Sequence, residues 1–456
     1  MHGTSLPPAA AAKMRPSPLI LAALSLAVVV AQVDTSVTNL AVAPIGGYFA
    51  AGSAELQWVV DAYNLAYAVL LLTGGLLADL WGRRRVFMLG AALFTAASLV
   101  CTFAPNVGCL IVGRTAAGLG AALMIPASLA ILRVVWSDPR ERGRALGIWT
   151  GCYGLAMVVG PTTGGVLLAH FGWRSIFVMV VPLSLAALVL ASRVVPESAD
   201  RKGRAFDARA QVAGALALGC LAFGAIEFNA SPLIAGVALL VAALASAAFV
   251  RIEGRQGAAA LVPLDMPRIR PFRGAAAGAG GMTFGMYGLL FVLPLYWQSS
   301  GQLDAVGVGL ALLPLGLIYI LVSPFSGRLG ERLGVGVMTG GGVAVIALGV
   351  LLVALSPIWN SLPLSIVGLT MTGLGMGIAT GPLTAVAVGA VGPERSGTAS
   401  SIVNVVRMTG ATLGVAVLGA VFARAGSGPV GLAAAMGLGC LIQIAGAATA
   451  WRLTRR

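Results

Sequence analysis

The chain has 456 residues, of which 58% are hydrophobic and only 10% are charged, and its formal net charge is +14. So much apolar surface excludes an ordinary soluble domain. The positive charge does not indicate a nucleic-acid-binding protein, because the basic residues lie in short clusters between apolar runs and form no basic face or tail. We therefore predict an all-α integral membrane protein that contacts the lipid bilayer and has no nucleic-acid partner.

The apolar runs define fourteen segments, each close to the ~20 residues that cross a bilayer as a helix. The segments are 18–42, 55–79, 86–104, 107–132, 145–169, 174–192, 210–229, 231–250, 274–298, 305–327, 335–356, 361–388, 398–422 and 429–451. Most Lys and Arg residues fall before the first segment or in every second loop after it, which predicts that both termini are cytoplasmic. The abundance of Arg, Ala and Gly is typical of a GC-rich bacterium, so we expect the bacterial cytoplasmic membrane.

An internal repeat divides the chain into two halves. Residues 75–82, after the second segment, and residues 327–334, after the tenth, both fit the pattern G-x-x-x-[D/E]-x-x-G. Many transporters are built from such repeats. We predict a cytoplasmic tail over 1–17, a six-helix bundle over 18–200, two inserted helices with basic flanking loops over 201–273, and a second six-helix bundle over 274–456.

The fifth segment carries a glycine-rich stretch that includes a proline. Its members are Gly154, Gly160, Pro161, Gly164 and Gly165. Small residues let membrane helices approach closely, so this stretch fits a role in helix packing alone. Pro161 also removes one backbone hydrogen bond and allows a bend, so the stretch fits a flexible gate equally well. The sequence leaves these two interpretations open.

The chain lacks the residue patterns of an enzyme or a metal protein. Its five cysteines have no metal-ligand or disulfide spacing, and only Cys101 and Cys109 flank the same short loop. It has two histidines and no phosphate-binding G-x-x-x-x-G-K-[S/T] loop. We therefore predict no enzymatic activity, no metal and no cofactor, and we exclude transport driven by ATP.

The ninth segment is crowded with aromatic residues and methionine. Packing in the core or against lipid explains any one of them, but together with nearby amides they could form a pliable apolar surface for varied substrates. The predicted substrate cavity consists of Asn39, Tyr287, Phe291, Gln298, Asn404 and Arg407.

These patterns resemble the major facilitator superfamily, and specifically its fourteen-helix drug:proton antiporter branch. Residues 75–85 match the superfamily's loop between the second and third helices, and residues 154–165 resemble the antiporter motif of the fifth helix. Residues 33–41 and 58–63 are similar to motifs of the branch, and 114–120 is similar to Arg-x-x-Gln-Gly with Ala117 where the family has Gln. The resemblance covers nearly the whole chain.

The resemblance implies a major-facilitator fold and a direction of transport. The antiporter motif separates exporters from importers in the family, so we expect export. The loop motif implies a gate that closes the cytoplasmic face between the halves. The gating residues would be Gly75, Asp79, Gly82, Arg83 and Arg84.

Few ionisable residues lie within the predicted segments, and each needs a partner or a water-filled cavity. Asp34, Asp61 and Arg114 share a depth of roughly 9–12 Å from the outer ends of their helices, at 1.5 Å per residue. Asp34 and Arg114 could form a pair that opens during transport, or a static pair that fixes helix packing. We expect Asp34 to be the principal proton carrier, with Arg114 as its electrostatic switch.

The other intramembrane charges have weaker assignments. Asp61 fits a second proton carrier, an anchor for a cationic substrate, or a solvated acid at the mouth of the cavity. Glu227 fits a boundary residue at the end of its helix. Arg407 has no matching acid in the sequence and fits either the cavity or a contact with a backbone carbonyl.

The predicted function is proton-coupled efflux of small lipophilic compounds, including cationic ones, with protons as the coupling ion and a monomer as the working unit. A dedicated exporter of one metabolite or antibiotic is the nearest alternative. A proton-coupled importer and a membrane sensor without transport activity are the more distant ones.

Overall fold

The computed structural model describes residues 16–199, 207–228, 231–256, 265–392 and 395–455. Within these ranges the secondary structure is helical and contains no strand. The predicted tail lies largely outside the described residues, as do residues 200–206 and 257–264 on either side of the inserted helices. The predicted domain boundaries therefore stay predictions.

Fifteen α-helices follow one another along the described chain. They are α1 Pro18–Phe49, α2 Ser53–Trp81, α3 Arg83–Thr102, α4 Val107–Val135, α5 Pro139–Phe171, α6 Ser175–Val194, α7 Ala208–Glu227, α8 Pro232–Gln256, α9 Arg270–Ser299, α10 Ala305–Val322, α11 Ser326–Leu333, α12 Gly342–Leu355, α13 Leu362–Gly389, α14 Ser396–Arg424 and α15 Pro429–Thr454.

The number of spans agrees with the sequence prediction. Thirteen helices among the described residues are long and apolar enough to cross a membrane, and α2 supplies a fourteenth span with a 52° bend between Leu71 and Thr73. Gly74 and Gly75 follow this bend, and pairs of small residues are common causes of kinks. The predicted all-α multi-pass membrane fold is confirmed.

The tenth and eleventh predicted segments differ most from the observed helices. Helix α10 ends at Val322, and a 3₁₀ turn over Ser323–Phe325 leads into the short helix α11. Pro324 within this turn has no N–H for an α-helical hydrogen bond, which explains why the α-helix stops there. After Gly334, whose φ is +85°, a π-helical turn over Val337–Gly341 precedes α12.

The helices assemble into two bundles with an inserted pair. Helix α4 packs against α2 and α3 in the N-terminal half, and α9 packs against α14 and α15 in the C-terminal half. Helices α7 and α8 pack on each other, and α7 also contacts α2 and α14. The exposed face of α8 carries Leu233, Leu240 and Leu244, as expected of a helix that faces lipid.

The two most extensive interfaces between the halves are those of α5 with α10 and of α2 with α14, and α1 also contacts α9. We call the end of the bundle where α1 begins and α15 ends the basic end, because Arg83, Arg84 and Arg85 lie there at the start of α3. At the opposite end the Gln298 amide donates a hydrogen bond to the Leu40 carbonyl at 2.9 Å. The Gln57 amide likewise donates to the Ala416 carbonyl at 3.4 Å. These bonds hold the halves together at the opposite end.

Candidate functional site

Asp34 of α1 and Arg114 of α4 form an ion pair in the interior of the N-terminal half. An Nη of Arg114 donates to the Asp34 carboxylate, and both residues are only 1% exposed. The Arg114 Nε donates to the Val59 carbonyl of α2 at 3.0 Å. The predicted pairing of these two side chains is therefore present, and it lies within one half of the molecule.

Tyr63 of α2 covers this ion pair. Its ring lies under the Arg114 guanidinium, with 4.7 Å between the guanidinium carbon and the ring centroid. Its hydroxyl donates a hydrogen bond to the Ala31 carbonyl of α1 at 3.2 Å. The pair thus has a cation–π contact and a main-chain anchor in addition to its Coulomb attraction.

Asp61 has a different environment. Its side chain is fully buried, and neither carboxyl oxygen makes a hydrogen bond in this conformation. Asn64, one turn along α2, is the polar side chain placed to contact the carboxyl, and its Nδ2 is also buried without a partner. One interpretation of Asp61 is a solvated acid at the mouth of the cavity, and the burial of its side chain does not agree with it.

Helix register places Asp61 at the α2–α14 interface. Gln57, one turn before it, bonds to α14, and Leu65, one turn after it, lines a small cavity shared with Thr412 of α14 and Leu221 of α7. Residues four apart lie on the same face of a helix, so Asp61 faces the same way. The Thr412 hydroxyl is buried without a hydrogen-bond partner. The Asp61 carboxyl and the Thr412 hydroxyl are therefore two buried polar groups without hydrogen-bond partners at the interface between the halves.

The glycine–proline stretch of α5 fits closely between two helices. A methyl group on Gly164 would lie 2.7 Å from Cγ1 of Val37 in α1, and one on Gly165 would lie 2.7 Å from the Ala305 carbonyl oxygen of α10. Gly160 faces Ser36 of α1, while Gly154 and Pro161 face α10. Helix α5 continues through Pro161 without interruption. The stretch therefore packs tightly against α1 within its own half and against α10 of the other half, and the gating interpretation stays a prediction.

The predicted gating residues contact their own half in this conformation. Arg83 donates to the Asp79 carboxylate at 2.7 Å, and the Arg84 side chain donates to the Ser192 carbonyl at the end of α6. Gly75 of α2 faces Pro126 of α4. The predicted contact of this motif with the other half stays a prediction.

Glu197, which the sequence analysis missed, organises the same loop. Its carboxylate accepts hydrogen bonds from the backbone N–H groups of Arg84 and Arg85, at 3.1 and 3.2 Å, at the start of α3. An acid at a helix N-terminus satisfies free N–H groups and the helix dipole. Gly82 has φ of +110° and lies so close to Glu197 that a side chain would displace the carboxylate. Gly82 is thus required by both conformation and space.

Four tyrosines lie within electrostatic range of Arg407 in α14. They are Tyr67 of α2, Tyr153 of α5, Tyr287 of α9 and Tyr319 of α10, which we call the tyrosine cluster. All four lie close enough to Arg407 of α14 for a Coulomb interaction with it. The Arg407 Nε is buried and has no hydrogen-bond partner among the described residues. Of these tyrosines the sequence analysis identified only Tyr287.

A small cavity adjoins the tyrosine cluster toward the opposite end. Met157, Leu290 and Leu315 line it, and each lies one helical turn from Tyr153, Tyr287 and Tyr319 respectively. The remaining lining residues are Ser36, Asn39, Pro161 and Leu312. Both side-chain polar atoms of Asn39 are buried without a hydrogen-bond partner. This arrangement gives the cavity apolar walls with one unsatisfied amide.

The remaining predicted cavity residues occupy other positions. Phe291 is buried against Gly419 of α14, and Gln298 takes part in the hydrogen bond that joins the halves at the opposite end. Asn404 lies one turn before Arg407 on the same face of α14. Glu227 is the last residue of α7, as predicted for a boundary residue. The cysteines, including Cys101 and Cys109, are free thiols.

Comparisons with known proteins agree with this architecture. Residues 24–415 match the family model described as Major Facilitator Superfamily. The chain is 35% identical to "Multidrug resistance protein Stp" of Mycobacterium tuberculosis over 410 residues, which cover 89% of this chain and 76% of the relative. It is 33% identical to "Tetracenomycin C resistance and export protein" of Streptomyces glaucescens, over 92% of this chain and 78% of the relative.

A solved structure supports the fold alone. The crystal structure of a POT family transporter in complex with a thioalcohol-conjugated peptide matches with a TM-score of 0.71. The match covers 94% of this chain and 96% of the other, at 14% sequence identity.

Proposed function

Because this chain belongs to the Major Facilitator Superfamily of membrane transporters, we propose that it exports small lipophilic compounds from the cell in exchange for protons. The names of two relatives support export of toxic compounds, since one is a multidrug resistance protein and the other a tetracenomycin C resistance and export protein. The same names leave two substrate ranges, a broad one and a single antibiotic. The apolar cavity beside the tyrosine cluster supports a lipophilic compound in either case.

The buried, unpaired carboxyl of Asp61 carries the proposal of proton coupling. An ionised carboxylate at membrane depth with no hydrogen bond or counter-charge has a prohibitive desolvation cost, so the neutral form is the stable one here. Asp61 thus holds a proton while α2 and α14 are packed together. Since water reaches this interface only when the helices separate, the exchange of that proton is linked to the separation of the halves.

Asp34 takes a second role in this proposal. Arg114 supplies a counter-charge and a hydrogen bond, so Asp34 is stable in its ionised form. Two acids on neighbouring helices are therefore held in opposite protonation states by their surroundings, a pattern that recurs in proton-handling sites. We propose Asp61 as the acid that holds the transported proton in this conformation, and Arg114 as the group that keeps Asp34 ionised.

The proposed orientation places the basic end in the cytoplasm. The arginines there fit the excess of positive charge on cytoplasmic loops. The hydrogen bonds from Gln298 and Gln57 then close the outer face, so this conformation would keep the proton on Asp61 shielded from the outer solution. One chain forms the whole pathway between its halves, which supports a monomer as the working unit.

Transport assays in everted membrane vesicles test the proposal. Vesicles acidified inside should accumulate at least one of three lipophilic probes, the neutral dye Nile red, the cation ethidium or the anion anthracene-9-carboxylate. A protonophore should abolish the accumulation. Asp61→Asn should lower gradient-driven accumulation by at least about 100-fold, the low end of the loss expected when a proton-transfer group is removed. Glu55→Gln is the matched control, because Glu55 lies on the same helix, is exposed, and caps the helix through a contact that Gln preserves.

Four results would contradict the proposal. Accumulation that persists with the protonophore would exclude proton coupling. Unchanged gradient-driven transport in Asp61→Asn would remove Asp61 from the coupling mechanism. Absence of all three probes from energised vesicles would contradict export of general lipophilic compounds and favour a dedicated exporter. Accumulation only under the reversed gradient would indicate an importer.

A further inference from the structure

We infer that Arg407 and the tyrosine cluster bind the anionic group of the transported compound, so that the substrate is an amphipathic anion with an apolar body. This inference rests on the proposed export function and specifies its substrate class. The inferred charge of the substrate is opposite to the one that the sequence favours, because the intramembrane acids alone suggest a cationic compound.

The first observation is the unbalanced charge of Arg407. Arginine stays protonated in proteins, and a charge near the middle of a membrane requires a counter-charge or water. None of the four ion pairs found among the described residues involves Arg407. The tyrosine hydroxyls can donate or accept hydrogen bonds to a ligand, but they are neutral and leave the guanidinium charge uncompensated. The site is therefore complete only when an anion enters it.

The second observation is the position of the site between the two halves. Tyr67 and Tyr153 belong to the N-terminal half, whereas Tyr287, Tyr319 and Arg407 belong to the C-terminal half. The main chain at Arg407 is anchored to α9, because the Arg407 carbonyl accepts a hydrogen bond from the Thr283 hydroxyl of α9 at 2.7 Å. A bound anion would contact hydroxyls of one half and the guanidinium of the other. Ligand binding at this point can therefore affect how the halves meet.

The third observation is the apolar cavity one turn away. An anion held at Arg407 would direct the rest of its molecule toward the walls formed by Met157, Leu290 and Leu315. The Asn39 amide, which lacks a partner, offers a hydrogen bond to a carbonyl or hydroxyl on that body. The predicted ligand therefore has a charged group at one end, an apolar or aromatic body, and a polar substituent toward Asn39.

The acids that would attract a cation lie elsewhere. Asp34 is neutralised by Arg114 inside the N-terminal half, and Asp61 lies on the face of α2 that packs against α14 and the cavity shared with α7. Neither acid lines the cavity beside the tyrosine cluster. Within the described pathway the uncompensated charge is thus positive.

Equilibrium binding to the purified full-length chain in detergent tests this inference without any proton gradient. Anthracene-9-carboxylate, anthracene-9-methanol and 9-(aminomethyl)anthracene share one ring system and carry negative, zero and positive charge at pH 7. Equilibrium dialysis against protein-free micelles gives the three affinities. We expect the carboxylate to bind at least about tenfold more tightly than the alcohol, the scale of one hydrogen bond to a charged group.

Variants assign the preference to the site. Arg407→Gln should bring the carboxylate to the affinity of the alcohol, Arg407→Lys should retain part of the preference, and Tyr287→Phe should lower carboxylate affinity severalfold with little effect on the alcohol. Arg424→Gln, an exposed arginine at the far end of the same helix, should bind like the wild type.

Equal binding of the three probes, tighter binding of the amine, absence of saturable carboxylate binding, or a preference that persists in Arg407→Gln would each overturn the inference. Failure of the proposed function is distinguishable from these results. A chain that binds the carboxylate through Arg407 but shows no gradient-driven transport would contradict proton-coupled export and leave the anion site in place.

Discussion

Asp34 and Asp61 are the same residue type on adjacent helices, and the sequence places them at the same depth. Both side chains are buried, but only Asp34 has a partner. Asp34 pairs with Arg114 of its own half. The Arg114 guanidinium lies over the ring of Tyr63, whose hydroxyl donates a hydrogen bond to the main chain of α1. Asp61 has no hydrogen bond and lies where the two halves meet. Under the proposed mechanism, position relative to the interface, and not depth, would separate a structural charge from an exchangeable proton.

This difference has a mechanical consequence. A rigid-body motion of the halves leaves every contact of Asp34 intact, because α1, α2 and α4 move together. The same motion changes the solvation of Asp61, because α14 moves away from α2. If the halves move in this way, only the protonation state of Asp61 would respond to the conformation of the transporter.

The largest effect should follow from removing Asp34. Asp34→Asn leaves the Arg114 guanidinium buried and unpaired, which should lower the free energy of unfolding by about 3–5 kcal/mol. Thermal unfolding of the detergent-solubilised chain measures the loss. The double variant Asp34→Leu with Arg114→Met replaces the pair by apolar side chains and should recover most of the stability.

The double variant also separates structure from coupling. If the pair only fixes helix packing, the double variant should transport as well as the wild type once its stability is restored. If Asp34 takes part in proton transfer, the double variant should be stable and inactive. Failure of the double substitution to restore stability would show that the pair is not the source of the loss.

A smaller effect of opposite sign should follow at Asp61. Asp61→Leu replaces an unpaired buried polar group by an apolar one of similar size, which should raise the free energy of unfolding by about 1–2 kcal/mol. The same thermal measurement applies, with Glu55→Gln as the unchanged reference. A stabilised variant that no longer transports would show that Asp61 is retained at a cost to stability. Destabilisation would indicate that Asp61 has a bonded partner in the detergent-solubilised protein.

The fold could be predicted to a large extent because a bilayer imposes a fixed length on each apolar run. The spans, the pairing of Asp34 with Arg114 and the boundary position of Glu227 all follow from counting residues along helices. The end of α10 at Val322 could not be placed, because the apolar run continues past Pro324 into the turn. The bend in α2 had a local signal in Gly74 and Gly75.

The candidate site was harder to predict because sequence does not define which face of a membrane helix meets another helix. Tyr67, Tyr153 and Tyr319 are each compatible with a lipid-facing position, and only the packing of five helices brings them around Arg407. One available signal was the tyrosine hydroxyl itself, which needs a polar partner when it lies far from the membrane surface. Glu197 had no such signal, because its role depends on a contact with the start of α3, which is far from Glu197 in the sequence.

The smallest predicted effect concerns the tyrosine that covers the Asp34–Arg114 pair. Tyr63→Phe removes the hydrogen bond to the Ala31 carbonyl and keeps the ring under the guanidinium, so unfolding should become easier by only about 0.5–1.5 kcal/mol. Tyr63→Leu also removes the cation–π contact and should cost about 1–2 kcal/mol more. Thermal unfolding of both variants separates the two contributions. Equal losses in the two variants would show that the ring contributes nothing beyond its hydroxyl, and Arg114 would then be held by Asp34 and the Val59 carbonyl alone.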